Sequence, residues 1–196
     1  YPPGFSTSVD VGGPLVAGLC SPLRPGHFRG VATVVTKLFN AVRPDAAFFG
    51  AKDFQQAAVI RRMTADLDMA TQIHVLPTVR ERDGLAMSSR NAYLSAPGRR
   101  AATVLFRALC AGRGIIAAGE SRISAVRTAI RGVLAREPLA RVEYLEITDA
   151  GTLEPLTRIE GRGLMALAVR VGGTRLIDNL CVVAPTGRYR RNIRRK

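Results

Sequence analysis

The sequence predicts an α/β protein: a partial doubly wound domain around a parallel sheet, then a smaller α+β domain with antiparallel strands. Three observations predict it. Helix, strand, loop, helix and strand alternate between residues 31 and 76. Gly172-Gly173 separates two strand-like runs as a tight hairpin turn. Hydrophobic residues make up 47% of the 196 residues against 22% charged, which suffices for a buried core.

Residues 7–11 alternate weakly and read as a strand, and the Gly- and Pro-rich residues 12–25 read as loop. Val31, Val34, Val35, Leu38, Phe39 and Val42 recur at helical spacing, so a helix runs from Val31 until Pro44 stops it. Residues 46–49 are a short apolar run ending at Gly50, expected as a buried strand. Asp53 opens a second helix to about Leu67. Residues 72–76 form the next strand, stopped by Pro77 and also expected to be buried, with His74 alternating into it as a structural residue. In such a sheet, ligands bind beyond the carboxyl ends of the strands, where the loops after Phe49 and Leu76 lie.

Ser95-Ala96-Pro97 has the form of a cap with proline in the first turn, and helices follow over 98–118 and 121–136. Residues 142–147, 164–171 and 174–183 read as strands. The expected division is 1–94, 95–185 and a basic tail, 186–196, without ordered structure.

The formal net charge is +14, and of 29 basic residues 26 are Arg and 3 are Lys. A nucleic-acid-binding protein on a degenerate enzyme scaffold is therefore the alternative class. It is disfavoured: six of the charges sit in the tail, and aromatics are 6% with no Trp, too few for a base-stacking platform. No apolar run approaches the ~20 residues of a membrane helix. Tyr1-Pro2-Pro3-Gly4-Phe5 has neither the basic start nor the apolar stretch of a signal peptide, and it opens as if within a longer protein. Cys20, Cys110 and Cys181 are widely spaced, so reduced thiols and a cytoplasmic location are expected. Two histidines exclude a His-rich metal centre, and no metal-ligating residues are assigned.

Two segments carry chemistry. Gly50-Ala51-Lys52-Asp53-Phe54-Gln55-Gln56 joins a strand end to a helix start. A glycine permits close approach of a ligand, and helix N-terminal N–H groups suit phosphate. Lys52 adds a point charge where Arg is otherwise the chain's choice. Asp53 and Gln56 also have capping-box spacing, and from residues alone the two readings balance. Met87-Ser88-Ser89-Arg90-Asn91 sets two hydroxyls beside a guanidinium, suited to phosphate oxygens on a mobile loop, although a plain polar turn explains it as well. Arg24-Pro25-Gly26-His27 lacks a first histidine, so it is not a His-x-Gly-His word, and His27 is expected to pack or cap.

Taken together, these words resemble the pantothenate synthetase (pantoate–β-alanine ligase) family over about residues 1–183. The matching words are residues 24–28, 33–39, 49–56, 79–83 and 84–91, then Leu176-Ile177-Asp178-Asn179. The resemblance implies a Rossmann-like nucleotidyl transferase domain with a lid, and a cytoplasmic homodimer. It implies ATP-dependent condensation of pantoate and β-alanine through pantoyl adenylate, with Mg²⁺, giving pantothenate, AMP and pyrophosphate. It places Gly50, Ala51, Lys52 and Asp53 on an ATP-contacting loop, Lys52 on phosphate and Asp53 on ribose. It places Val79 at the adenine, and Met87, Ser88, Ser89 and Arg90 on a phosphate loop, with Lys52, Ser88, Ser89 and Arg90 acting in the chemistry. Gln56, Val34 and Val35 fall on the pantoate pocket. Two departures stand out. Ala51 replaces a usual Glu. The family's His-x-Gly-His and Asn-Pro-x-Gln-Phe words fall before Tyr1, so this chain alone is expected to be nearly inactive.

Overall fold

The computed structural model describes residues 1–184. The basic tail expected to lack order lies outside the described residues.

Helix α1 spans His27–Val42, four residues earlier than the apolar spacing indicates. Gly26 sits left-handed before it, at φ 74°, and lets the loop turn into the first helical turn. Phe28, Ala32, Val35 and Phe39 form its buried face. They pack on Val59, Ile60 and Met63 of α2, Phe54–Asp66. Between them runs β1, Ala46–Gly50, which pairs in parallel with β2, Gln72–Leu76.

The expectation that β1 and β2 are buried is corrected. The helices cover one face, where Ala47, Phe49 and Ile73 pack. The other face is open: Phe48 is 64% exposed and stacks on an exposed His74 at 5.1 Å. Residues 7–11 form no strand either. Val11 is buried with α1, and the Val9 N–H donates to Thr33 Oγ1 at 2.9 Å, so the segment lies on a helix instead of a sheet neighbour.

In the second half, Ser95 caps α3, Ala96–Ala101, by accepting from the Gly98 N–H. The single helix expected over 98–118 breaks into α3 and α4, Val104–Ala117, and α5 follows over Ile123–Leu134. Strands β3, Ala140–Asp149, β4, Arg162–Val171, and β5, Thr174–Val183, form an antiparallel sheet in that order. Gly172, at φ 58°, makes the β4–β5 turn. One sheet face packs on α4 and α5. The other face of β4, through Leu164 and Ala166, meets Leu19 and Phe54 of the first half. The central strand is therefore buried on both sides, and its second face makes a wall of the cleft described next. No helix among the described residues is long and apolar enough to cross a membrane.

Candidate active site

The cleft lies between the residue 19–28 loop, the start of α2, and strands β3 to β5. Lys52, Asp53 and Gln56 line it together with Arg24, His27, Tyr144 and Arg175. Its floor is apolar, from Phe28, Phe54, Leu164 and Ile177. The cavity is narrow, about 50 Å³. A single water needs roughly 10–15 Å³, so the enclosed part fits the end of a small molecule and a larger ligand must extend through the mouth.

The approach to α2 is a short 3-10 turn, Ala51–Asp53. Asp53 stands at the helix N-cap, yet its side chain makes no capping hydrogen bond. The capping-box reading is thus corrected, and the exposed Asp53 carboxylate is left to the cleft. Gly50 has ordinary extended torsions, φ −80° and ψ 135°. A Cβ there would meet nothing within 4 Å, so neither torsion nor packing requires glycine and the space beside it is open.

Strand β5 holds this turn. Asn179 donates its Nδ2–H groups to the carbonyls of Ala51 at 2.9 Å and Lys52 at 2.8 Å. Asp178 forms a two-pronged ion pair with Arg80 at 2.7 and 2.8 Å. Arg80 also donates to the Gly84 and Asn179 carbonyls and stacks over Phe106 at 4.1 Å. One strand therefore ties the turn at Lys52 to the loop after β2.

Several side-chain bonds tie that loop to its surroundings. Arg99 reaches Glu81 at 2.9 Å and Asp83 at 2.7 Å, and Asn91 donates to Glu81 and to the Ala86 carbonyl. The Met87 N–H donates to the Val79 carbonyl at 2.9 Å. Ser88 caps the short 3-10 turn Ser89–Tyr93 by accepting from the Arg90 N–H. Ser89 and Arg90 are exposed. Gly50, Ala51, Val79, Met87, Ser88, Ser89 and Arg90 are not among the residues lining the narrow cavity. Nor are Val34 and Val35: Val34 is 39% exposed and Val35 is buried in the α1–α2 core.

Sequence reasoning passed over Gln55. Its amide donates to the Leu15 and Gly18 carbonyls and Ser21 Oγ, and its Oε1 accepts from the Cys20 N–H. Glu146 of β3 accepts from the Leu19 N–H at 2.8 Å, so the same loop is held from both sides. The missed signal is helical phase, since 55, 59 and 63 form one buried stripe. Asp178 and Asn179 were visible as two adjacent polar residues between the apolar pairs Leu176-Ile177 and Leu180-Cys181.

Arg24 donates from Nη1 to His27 Nε2 at 2.9 Å, which requires a neutral ring accepting at that nitrogen. Burial, then the Arg24 charge, lowers the His27 pKa and favours that form. Burial pushes the Cys20 thiol and the Tyr144 phenol upward, so both stay protonated at neutral pH.

A family model described as pantoate-beta-alanine ligase matches residues 1–181. A pantothenate synthetase of Roseiflexus castenholzii is 58% identical over 183 residues, covering 93% of this chain and 65% of that protein. That of Moorella thermoacetica is 55% identical over 180 residues, covering 92% and 63%. The chain thus spans about 65% of the length of the first of these relatives. The crystal structure of the Thermus thermophilus pantothenate synthetase superposes with a TM-score of 0.88 at 47% identity, covering 92% of this chain and 65% of that one. The Francisella tularensis pantoate-beta-alanine ligase, solved with beta-gamma ATP and beta-alanine, gives 0.69 at 29% identity, covering 92% and 60%.

Proposed function

The chain belongs to the pantoate–β-alanine ligase family, and from that premise we propose that its cleft is the phosphate- and pantoate-binding side of an ATP-dependent ligase. The observation that carries the reading is the convergence of Lys52, Asp53 and Gln56 on one cleft that β5 also lines. In the reaction, a pantoate carboxylate oxygen attacks the α-phosphorus of ATP, and the bond to pyrophosphate breaks. The amine of β-alanine then attacks the acyl carbon of pantoyl adenylate, AMP leaves, and the amine proton passes to solvent or a base.

Lys52 neutralises phosphate charge as it builds up, Asp53 accepts from ribose hydroxyls, and Gln56 hydrogen-bonds pantoate. Gly50, Ala51 and Val79 offer backbone to the nucleotide, with Met87, Ser88, Ser89 and Arg90 on its phosphates. Val34 and Val35 belong to the wider pantoate wall. Ala51 brings no carboxylate, but Asn179 holds its carbonyl, which supports the turn by its backbone. Among the described residues no cluster of three acidic, His or Cys side chains could hold a metal. Mg²⁺, the ion this reading implies, usually binds through substrate phosphates and waters with one or two carboxylates. When bound, it would supply further neutralisation of phosphate charge. The homodimer, the cytoplasmic location and a lid role for residues 95–185 belong to the same proposal. His27 at the cleft and His74 on the outer face of β2 cannot act as a His-x-Gly-His pair, so slow turnover is expected from these 196 residues alone.

Gln56→Ala should raise the dissociation constant for pantoate about tenfold, the loss of one hydrogen bond to a charged group. The constant for ATP should change less than twofold. Titrations of each ligand into both proteins read this, and an effect confined to ATP would remove the role given to Gln56.

A further inference from the structure

Arg170 and Arg175 stand directly opposite each other across the β4–β5 hairpin. Like charges in that position repel. Glu143 lies between them, its Oε1 2.7 Å from Arg170 Nε and its Oε2 2.6 Å from Arg175 Nε. It can do so because the β3–β4 register shifts between Val142 and Tyr144, leaving Glu143 as the extra residue of a bulge. A bulge of this kind re-aims a side chain. Here Glu143 bonds Arg175 while its neighbour Tyr144 lines the cleft. Burial raises the Glu143 pKa, but the hydrogen bonds and charges of Arg175 and Arg170 together outweigh it and hold the carboxyl below its ordinary value.

One carboxylate cannot neutralise two guanidiniums, so the cluster keeps a surplus positive charge. Arg175 Nη2 is buried and makes no hydrogen bond among the described residues. Buried polar groups are normally paired, and Arg175 lines the cleft beside Gln56, Lys52 and the apolar floor. Glu143 takes Arg175 through Nε, which leaves the Nη2 edge of the guanidinium without a partner among the described residues.

Building on the ligase reading, we propose that Arg175 is a substrate-binding residue whose free Nη2 edge takes the carboxylate of a small acid substrate in this cleft. The cavity size favours that end of a small molecule over a triphosphate. Pantoate and β-alanine both carry the required group. Glu143 positions the guanidinium and fixes its orientation.

The test is the dissociation constant of β-alanine, pantoate and ATP, each titrated into the wild-type chain and Arg175→Gln by NMR. The expected result is a roughly tenfold to hundredfold loss for one or both acids, with ATP within about twofold and the melting temperature held. Which acid weakens identifies the carboxylate. Unchanged constants for both acids overturn the inference and leave the ligase reading standing. Loss confined to ATP overturns it in favour of a phosphate contact, and equal loss of all three overturns it in favour of packing. A wild-type chain that binds none of the three removes the ligase reading with it. Arg175→Lys keeps the charge without the fork and should fall between the two, giving the same readout if the Gln variant does not fold.

Discussion

Asp178→Ala should destabilise the protein by about 3 kcal/mol or more, which for a chain of this size lowers the melting temperature by roughly 6–12 °C. The Asp178 side chain is 2% exposed and Arg80 17%. The attraction between two such charges is largely offset by their removal from water, so the pair as a whole contributes little net stability. Removing one partner is different, because it leaves a mostly buried guanidinium with only the Gly84 and Asn179 carbonyls and the Phe106 ring. The Asn179 N–H also loses its acceptor, Asp178 Oδ1 at 2.8 Å. Asp10→Ala is the control. That pair with Arg29 is 58% exposed on both sides, and exposed pairs contribute little. Calorimetric melting of both variants checks the contrast. Equal small shifts would mean that Arg80 repairs itself with water.

Lys52→Ala should weaken ATP binding about tenfold to a hundredfold, the usual loss for a hydrogen bond between charged groups. Lys52 is half-buried at the cleft, and its carbonyl is pinned by Asn179. The side chain therefore leaves from a fixed backbone, and its loss should register as lost charge, not as a refolded turn. Titration of ATP into both proteins reads the effect. Lys52→Arg should recover part of it, since the charge returns but the shape does not. An unchanged constant in Lys52→Ala would place the phosphates elsewhere.

Much of this architecture was legible in the residues. Pro44 and Pro77 are hard stops, so α1 and β2 end where expected. The Gly172-Gly173 turn placed β4 and β5, because glycine adopts the left-handed torsion of Gly172, φ 58°, at little cost. Misses had physical causes. Alternation over residues 7–11 cannot make a strand without a neighbour to pair with. The apolar spacing began α1 at Val31 because Arg29 and Gly30 interrupt the pattern, although Phe28 continues the buried face. The strands of Phe48 and of His74 are covered on one side only, which two five-residue runs cannot announce.

The site was half legible. Lys52, Asp53 and Gln56 reach one cleft, as their spacing across a strand end and a helix start allows. What fixes them was not visible. Gln55 and Gln56 are neighbours of one type and both line the cleft, and helical phase makes Gln55 alone the buried hub of the residue 15–21 loop. Glu143 and Arg175 meet only because of a bulge, and bulges leave little trace in hydrophobic periodicity. Asn179 reaches Ala51 and Lys52 across more than a hundred residues.

The central proposal is that Gly50–Asp53 and the loop from Val79 to Arg90 form one nucleotide site beside β5. The most direct measurement is a two-dimensional amide NMR titration of the ¹⁵N-labelled chain with millimolar ATP. The account predicts saturable shifts concentrated at Gly50, Ala51, Lys52, Asp53, Val79 and Met87 to Arg90, with Asn179 responding through its bonds to the turn. Shifts confined to the arginines outside the cleft, or none at these positions, would contradict it.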